Sequence, residues 1–225
     1  MNQGGSDTRL LLVRHGETAW NALHRIQGQT DIDLNEVGER QARAVAQRLR
    51  EEPVAAIHSS DLLRAWRTAE AIGATLGLAV TPDATLRERH WGRFQGARME
   101  DVAKENPADH ARVLARDPSF DAHGGESLEQ LALRTAQALR AIARRHVGQT
   151  VVVVSHGGLL DCAYRLAARR ELSSPRDFSL LNAAINEIIV RRGGPGGGIS
   201  VDAGDFVLGR WGIDAHLAGS IDELP

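Results

Sequence analysis

Apolar positions along this chain fall either in short unbroken blocks or in longer stretches at helical spacing. Leu10 to Val13 and Val151 to Val154 are the clearest blocks, too short for helices and read as strands. Val54 to Ile57 and Leu78 to Val80 are further blocks of the same kind. Strands that are apolar on successive residues are covered on both faces, as in parallel sheets flanked by helices. Helical spacing fills the gaps between them. Asn35 can N-cap a helix through about Glu52, with Val37, Ala42, Val45, Ala46 and Leu49 near helical spacing and Pro53 beyond its end. Ser59, Ser60 and Asp61 offer capping oxygens for a helix through about Leu76, closed by Gly77, with Leu62, Ala65, Ala69 and Ile72 facing inward. Longer helices are predicted from about Ser127 to His146, through Leu128, Leu131, Leu139 and Ile142, and from Leu159 to Ala168.

The pattern changes at both ends of this last pair. Ile185 to Arg191 and Ile199 to Leu208 read as two strands joined by the glycine-rich run from Gly193 to Gly198, which predicts an antiparallel edge hairpin. The strand and helix alternation before it predicts an α/β fold, a mostly parallel sheet with helices on both faces. Arg87 to Asp121 is irregular and charged, with helical signal only around Met99 to Glu105 and Asp109 to Arg116. It reads as an insertion over one end of the sheet, a lid or specificity segment at about 91–123. No repeat or linker divides the chain, so residues 1–225 are expected to form one domain. The tail from Trp211 to Pro225 offers only Trp211 and Leu217 for packing.

Composition narrows the function classes. A net charge of −2 over 225 residues argues against nucleic-acid binding, which usually needs a basic face. Cys162 is the only cysteine, which suits a reducing compartment, and the polar start from Met1 to Thr8 lacks the apolar core of a secretory signal. No apolar run approaches the roughly 18 residues of a membrane span. The expected location is the cytoplasm, with no membrane partner.

Candidate chemistry gathers at strand ends. Arg14-His15-Gly16-Glu17 follows the first block and Ser155-His156-Gly157-Gly158 follows the later one. Open α/β sheets hold their ligands in the crevice beyond the carboxyl ends of their strands. A neutral imidazole with one free nitrogen can attack phosphorus, and a neighbouring guanidinium fits the phosphoryl oxygens. Arg64, in the first turn of a predicted helix, sits where backbone N–H groups also favour an anion. Glu17 and Glu88 both qualify as the carboxyl group that protonates a leaving alkoxide. His24, His58, His110, His123 and His146 carry no such context. The chain has no G-x-x-x-x-G-K-[ST] loop and no H-E-x-x-H pair, and Ser155 lacks the glycine that a nucleophile elbow needs. A metal held by His15 and His156 would want a nearby carboxylate, for which Asp161 is the obvious choice.

Set in order, these pieces resemble the histidine phosphatase superfamily, in its phosphoglycerate mutase-like branch. The resemblance is carried by Leu12 to Thr18, Trp20-Asn21, Ser59 to Ala65, Leu86 to Arg89, Gly124 to Ser127 and Val154 to Gly158. It implies a three-layer α/β/α sandwich with His15 as the nucleophile that becomes phosphohistidine. Arg14, Arg64 and a protonated His156 would form the phosphate pocket, with Asn21 donating a further hydrogen bond and Gly157 beside them. Glu88, rather than Glu17, would be the proton donor and then the base. No metal or other cofactor is implied.

Two activities diverge at the acceptor. Arg89-His90-Trp91-Gly92 and Gln95-Gly96 look like the glycolytic mutase, which would need 2,3-bisphosphoglycerate as primer. The mutases of this branch, however, carry a longer insert with paired arginines, and the stretch from Arg93 to His123 has no Arg-Arg pair, although Lys104, Arg112 and Arg116 lie within it. The expected activity is therefore hydrolysis of a small phosphorylated metabolite. Phosphoglycerate mutase is the alternative, and a non-catalytic phospho-ligand binding protein a further one. Sugar phosphates, phosphoglycerates, nucleotide-like esters and a phosphorylated cobalamin precursor all fit. Nothing in the sequence specifies an oligomeric state.

Overall fold

A computed structural model describes residues 7–192 and 204–218 of the chain. Six strands form one sheet: β1 (Thr8–Arg14), β2 (Val54–Ser59), β3 (Val80–Pro82), β4 (Thr150–Ser155), β5 (Ile185–Val190) and β6 (Phe206–Leu208), in the order β3-β2-β4-β1-β5-β6. The first four strands run parallel, whereas β5 pairs antiparallel with β1 and β6 antiparallel with β5. The helices are α1 (Ala19–Ala22), α2 (Glu36–Leu49), α3 (Leu63–Leu76), α4 (Met99–Glu105), α5 (Pro107–Leu114), α6 (Leu128–Arg145) and α7 (Gly157–Ala168).

The unbroken apolar blocks follow from burial on both faces. Leu10, Leu12, Val151 and Val153 pack against Leu139, Ile142 and Leu159 of α6 and α7. Their alternates, Leu11, Val13, Val152 and Val154, pack against Val45, Ala65 and Ile72 of α2 and α3. Successive side chains on a strand point to opposite faces, so one continuous run serves both cores. The result is the expected three-layer α/β/α sandwich with an antiparallel edge.

Local signals set most boundaries. Asn35 accepts from the Gly38 N–H, and α2 stops at Leu49, a little before Pro53. Ser127 and Gln130 form a capping box on α6, and Gly77 closes α3 in the left-handed conformation. The start of α3 departs from expectation. Its first N–H groups are satisfied by Ser60 Oγ and, from a distant loop, by Asp31 Oδ1 at 2.7 Å. Asp61 instead forks with Arg87 at 2.6 and 2.7 Å. The third strand begins at Val80 rather than Leu78.

The insertion is more ordered than its sequence suggests. Its helices α4 and α5 enclose a small core of their own, built on Phe94, Val102, Phe120 and Ala122. At the other end, Leu217 is buried against the α2 and α3 side of the sheet. Trp211 packs edge-on against Tyr164, which stacks on Phe178 with ring centroids 3.7 Å apart. The glycine-rich turn at 193–198 and the first half of the strand expected at 199–208 lie outside the described residues. No described helix is long and apolar enough to cross a membrane.

Helix α2 abuts the chain leaving β1 so closely that residue 38 must be glycine. A Cβ there would stand 2.0 Å from the carbonyl oxygen of Glu17. Gly38→Ala is expected to lower stability by about 1–3 kcal/mol through overpacking, read as a fall in the urea midpoint at constant m-value.

Candidate active site

The pairing of β1 with β4 is in step to its end, with Val13 opposite Val154 and Arg14 opposite Ser155. The next residue of each strand is a histidine. His15 and His156 therefore leave the sheet together, with ring centroids 5.1 Å apart. The backbone around His15 is fixed from three sides. Its N–H donates to Ser155 at 2.9 Å, its carbonyl accepts from Asn182 at 2.8 Å, and the following Gly16 N–H donates to Thr68 Oγ1 at 3.0 Å.

His15 Nδ1 lies 2.7 Å from the carbonyl oxygen of Gly16. A carbonyl can only accept, so Nδ1 carries the proton and Nε2 keeps its lone pair. Burial, reinforced by the charges of Arg64 and Arg14, holds His15 well below the ordinary histidine range. His156 is shifted the same way, by burial first and then by Arg64, His15 and Arg14. The protonated His156 expected from sequence thus requires negative charge brought by a ligand. Its Nε2 pairs with Ser60 Oγ at 2.8 Å, and its buried Nδ1 has no partner.

Two arginines complete the cationic wall. Arg64 is fully buried in the first turn of α3 and donates to the carbonyls of Thr30 and Gly28 at 2.9 and 2.8 Å. Arg14 donates to the carbonyl of Leu180. Carbonyl partners orient the guanidinium groups without neutralising them. Desolvation lowers both from the ordinary range, Arg64 to about 10, and guanidinium groups keep their charge in proteins. Arg14 Nε and Arg64 Nε are buried without partners. Buried polar atoms are nearly always satisfied, so donors clustered in this way beside an imidazole are available to an anion.

Arg14, His15, Asn21, Arg64 and Glu88 line one cavity of about 190 Å³. The Asn21 carbonyl oxygen is occupied by Thr18, through its N–H and Oγ1 at 3.1 Å, which leaves the amide NH₂ to donate. Glu88 accepts from the Arg89 N–H at 2.7 Å and, through both oxygens, from the Gly158 N–H at 3.1 Å. Gly157, the first residue of α7, lies beside Arg14 and Glu88. Glu17, the other candidate carboxyl, is held by Asn35 at 2.8 Å and lines neither this cavity nor the larger one next to it.

Several residues here carry no signal that sequence reading used. Arg134 on α6 grips the segment bearing Glu88, donating to the carbonyls of Thr85 and Arg87 at 2.8 Å while forking with Glu126. Ser60 and Gly158 belong to the motifs, yet only the geometry assigns them to His156 and Glu88. Asp161 offers no free oxygen to a metal at the two histidines, since Arg116, Arg165 and Arg176 occupy it. His58 pairs with His146 at 3.0 Å, away from this site.

The chain is similar to known proteins over most of its length. The profile of the histidine phosphatase superfamily (branch 1) matches residues 10–197. A protein of Arabidopsis thaliana named metal-independent phosphoserine phosphatase is 42% identical over 189 residues, spanning 82% of this chain and 77% of that protein. Phosphoglycerate mutase-like protein 4 of the same plant is 40% identical over 211 residues, 92% of this chain and 86% of that protein. Among solved structures, a phosphoserine phosphatase from Entamoeba histolytica in complex with phosphoserine superposes with a TM-score of 0.80 at 30% identity, covering 93% of this chain and 99% of the other.

The histidine shifts have a definite sign. Below the unfolded-state value near 6.5, the unfolded chain gains protons that His15 and His156 in the fold refuse, so stability falls as pH drops. Each such histidine contributes a slope of about 1.4 kcal/mol per pH unit in that window. His58 and His216 are shifted in the same direction. Urea unfolding between pH 7.5 and 5 should show the decline, and His156→Gln should reduce its slope by one histidine's share. An unchanged slope would refute the assignment of His156 as neutral in the fold.

Proposed function

The chain belongs to the histidine phosphatase superfamily and is a phosphomonoester hydrolase of a small phosphorylated metabolite; we propose that it works through a phosphohistidine on His15. The observation that carries this is the set of orphaned buried nitrogens, Arg14 Nε, Arg64 Nε and His156 Nδ1, around an imidazole whose Nε2 lone pair is free. Phosphoryl transfer is chiefly positioning and charge stabilisation around an in-line displacement. Two guanidinium groups, His156 and the Asn21 amide supply that stabilisation from the protein, and no step draws on a metal or other cofactor.

In the first step the Nε2 lone pair of His15 forms a bond to phosphorus as the ester P–O bond breaks. The leaving alkoxide takes the proton of the Glu88 carboxyl group. In the second step water attacks phosphorus, Glu88 takes a proton from it, and the P–N bond breaks to return the lone pair to His15. Arg89 and Gly158 N–H groups hold the Glu88 carboxyl between the two cavities, where it reaches both leaving group and water. Water as acceptor, rather than a second substrate hydroxyl, is supported by the rim of the larger cavity, where Leu181 and the Arg176 side chain stand nearly half exposed. The segment at about 91–123 supplies Trp91, Val113 and Arg116 to that cavity and acts as the specificity element of a single domain. The lone cysteine, buried and with its thiol raised out of the reactive range by desolvation, suits a reducing cytoplasm.

Two assays separate the activities. Release of inorganic phosphate from para-nitrophenyl phosphate is expected, abolished by His15→Ala, with an acid-labile phosphoprotein in quench experiments on the unsubstituted enzyme. Rapid isomerisation of 3-phosphoglycerate primed by 2,3-bisphosphoglycerate, with little free phosphate, would instead establish the mutase. A Cβ on residue 158 would stand 2.2 Å from Glu88 Oε1. Gly158→Ala should therefore displace the acid and slow alkyl phosphates by about 10²-fold, and activated aryl phosphates much less. Equal losses on both substrates count against the acid role of Glu88.

A further inference from the structure

Glu88 lies on a stretch of chain that no strand or helix holds. Residues 87–91 run between two short 3₁₀ turns, Ala84–Leu86 and Gly92–Phe94. Backbone outside a ladder or helix needs other donors for its carbonyls. Here four carbonyls in succession are met by side chains. That of Thr85 accepts from Arg134 Nη1 at 2.8 Å, that of Leu86 from Ser155 Oγ at 2.7 Å, and that of Arg87 again from Arg134 Nη1 at 2.8 Å. The Glu88 carbonyl accepts from Gln29 Nε2 at 3.0 Å and from Arg134 Nη2 at 3.3 Å. One guanidinium group thus serves three of the four.

All five N–H donors of that group are engaged, and they lie in one plane. Nη1 reaches Thr85 and Arg87, Nη2 reaches Glu88 and Glu126 Oε2, and Nε reaches Glu126 Oε1 at 2.8 Å. Glu126 therefore sets the plane in which the three carbonyls are received. Its own backbone is tied to the same stretch, its N–H donating to the His90 carbonyl at 2.8 Å and its carbonyl accepting from Arg89 Nε at 2.7 Å. Behind both residues stands α6, capped at Ser127 and packed on the sheet through Ala136, Leu139 and Ile142. The charge of Arg134 is felt inside the site: burial is the first cause that pushes His156 down, and Arg134 adds to it.

We infer that Arg134, oriented by Glu126, is a positioning residue for proton transfer: it fixes the backbone beneath Glu88 so that the carboxyl group meets the oxygen of the leaving alkoxide. This rests on the hydrolase reading above, with Glu88 as the acid. A carboxyl group passes its proton only within hydrogen-bond reach, about 2.6–3.2 Å. A shift of roughly 1 Å in the segment that carries it can cost about 10²-fold in rate. With all five donors used on protein oxygens, Arg134 acts through Glu88 and leaves the substrate to other residues.

The dependence of kcat/KM on the leaving group tests this, because with a covalent intermediate kcat/KM reports only the steps up to leaving-group loss. It is measured for 2,4-dinitrophenyl, para-nitrophenyl and phenyl phosphates, and for 3-phosphoglycerate or glycerol 3-phosphate, whichever turns over faster. Dinitrophenolate leaves without a proton, whereas an alkoxide needs one. Arg134→Gln should lower kcat/KM on the alkyl phosphate at least about tenfold more than on 2,4-dinitrophenyl phosphate. Glu126→Gln should act in the same direction to a smaller degree, with the cation left in place. Glu88→Gln should steepen the same series, and adding Arg134→Gln to it should steepen it no further. Circular dichroism and melting temperature check each fold, and if Arg134→Gln does not fold, Glu126→Gln carries the test. Equal losses across the series, or further steepening in the double variant, overturn the inference. If Glu88→Gln alone steepens the series, only the positioning role falls; if neither variant does, the acid role of Glu88 falls too. If the unsubstituted protein hydrolyses none of these esters, the hydrolase reading falls with both.

Discussion

The parallel ladder between β1 and β4 keeps Arg14 level with Ser155, so the residues that follow each strand leave the sheet side by side. Every other part of the site depends on that register. A slip of one residue would send each strand's side chains to the opposite face and exchange the two cores. The same slip would carry His15 away from His156 and detach Arg14 from the segment that receives its guanidinium at Leu180. Because both strands are apolar on both faces, burial enforces the alignment from above and below. The precision of the histidine pair is thus inherited from the hydrophobic core, with no dedicated contact between the rings needed to set it.

Around that pair the protein keeps cations dry and unneutralised. Arg64 illustrates the device: it is wholly buried, its partners are the carbonyls of Gly28 and Thr30, and among the described residues no carboxylate hydrogen-bonds to it. Carbonyl dipoles hold the group in place while preserving its full charge for a ligand. An isolated buried charge is expensive, and the expense appears here as depressed basicity at Arg14, His15, Arg64 and His156. A bound anion would act on each of those groups in the opposite sense. An uncompensated cationic site of this kind favours anions over neutral analogues.

Much of this was legible from sequence because it is local. Apolar blocks located the strands, Asn35 and Ser127 announced their helices, and strand-end placement singled out His15 and His156. Arg64 and Glu88 became recognisable only in company with the other motifs, since each alone reads as a surface charge. What escaped sequence reading is long-range. Asp31 caps α3 from a loop more than thirty residues away, and Arg134 binds carbonyls nearly fifty residues upstream. Side chains that satisfy distant backbone groups leave no periodic or motif signal. The insertion was underestimated for a related reason: Phe94, Val102 and Phe120 are too widely spaced to suggest a core until the chain brings them together.

The Nδ1 proton of His15, the proposed nucleophile, is held by a group one peptide bond away, the carbonyl of Gly16. In the serine protease triad the tautomer of the imidazole is set by a carboxylate from elsewhere in the fold, which ties the chemistry to the integrity of a remote partner. Here the orienting atom travels with the nucleophile on the same turn of chain. The walls of the larger cavity come mostly from other segments, Trp91 to Arg116 and Arg176 to Leu181. Those walls can be exchanged by drift or recombination without retuning the reactive nitrogen. A single reactive turn can therefore be kept intact while its clientele is rewritten around it.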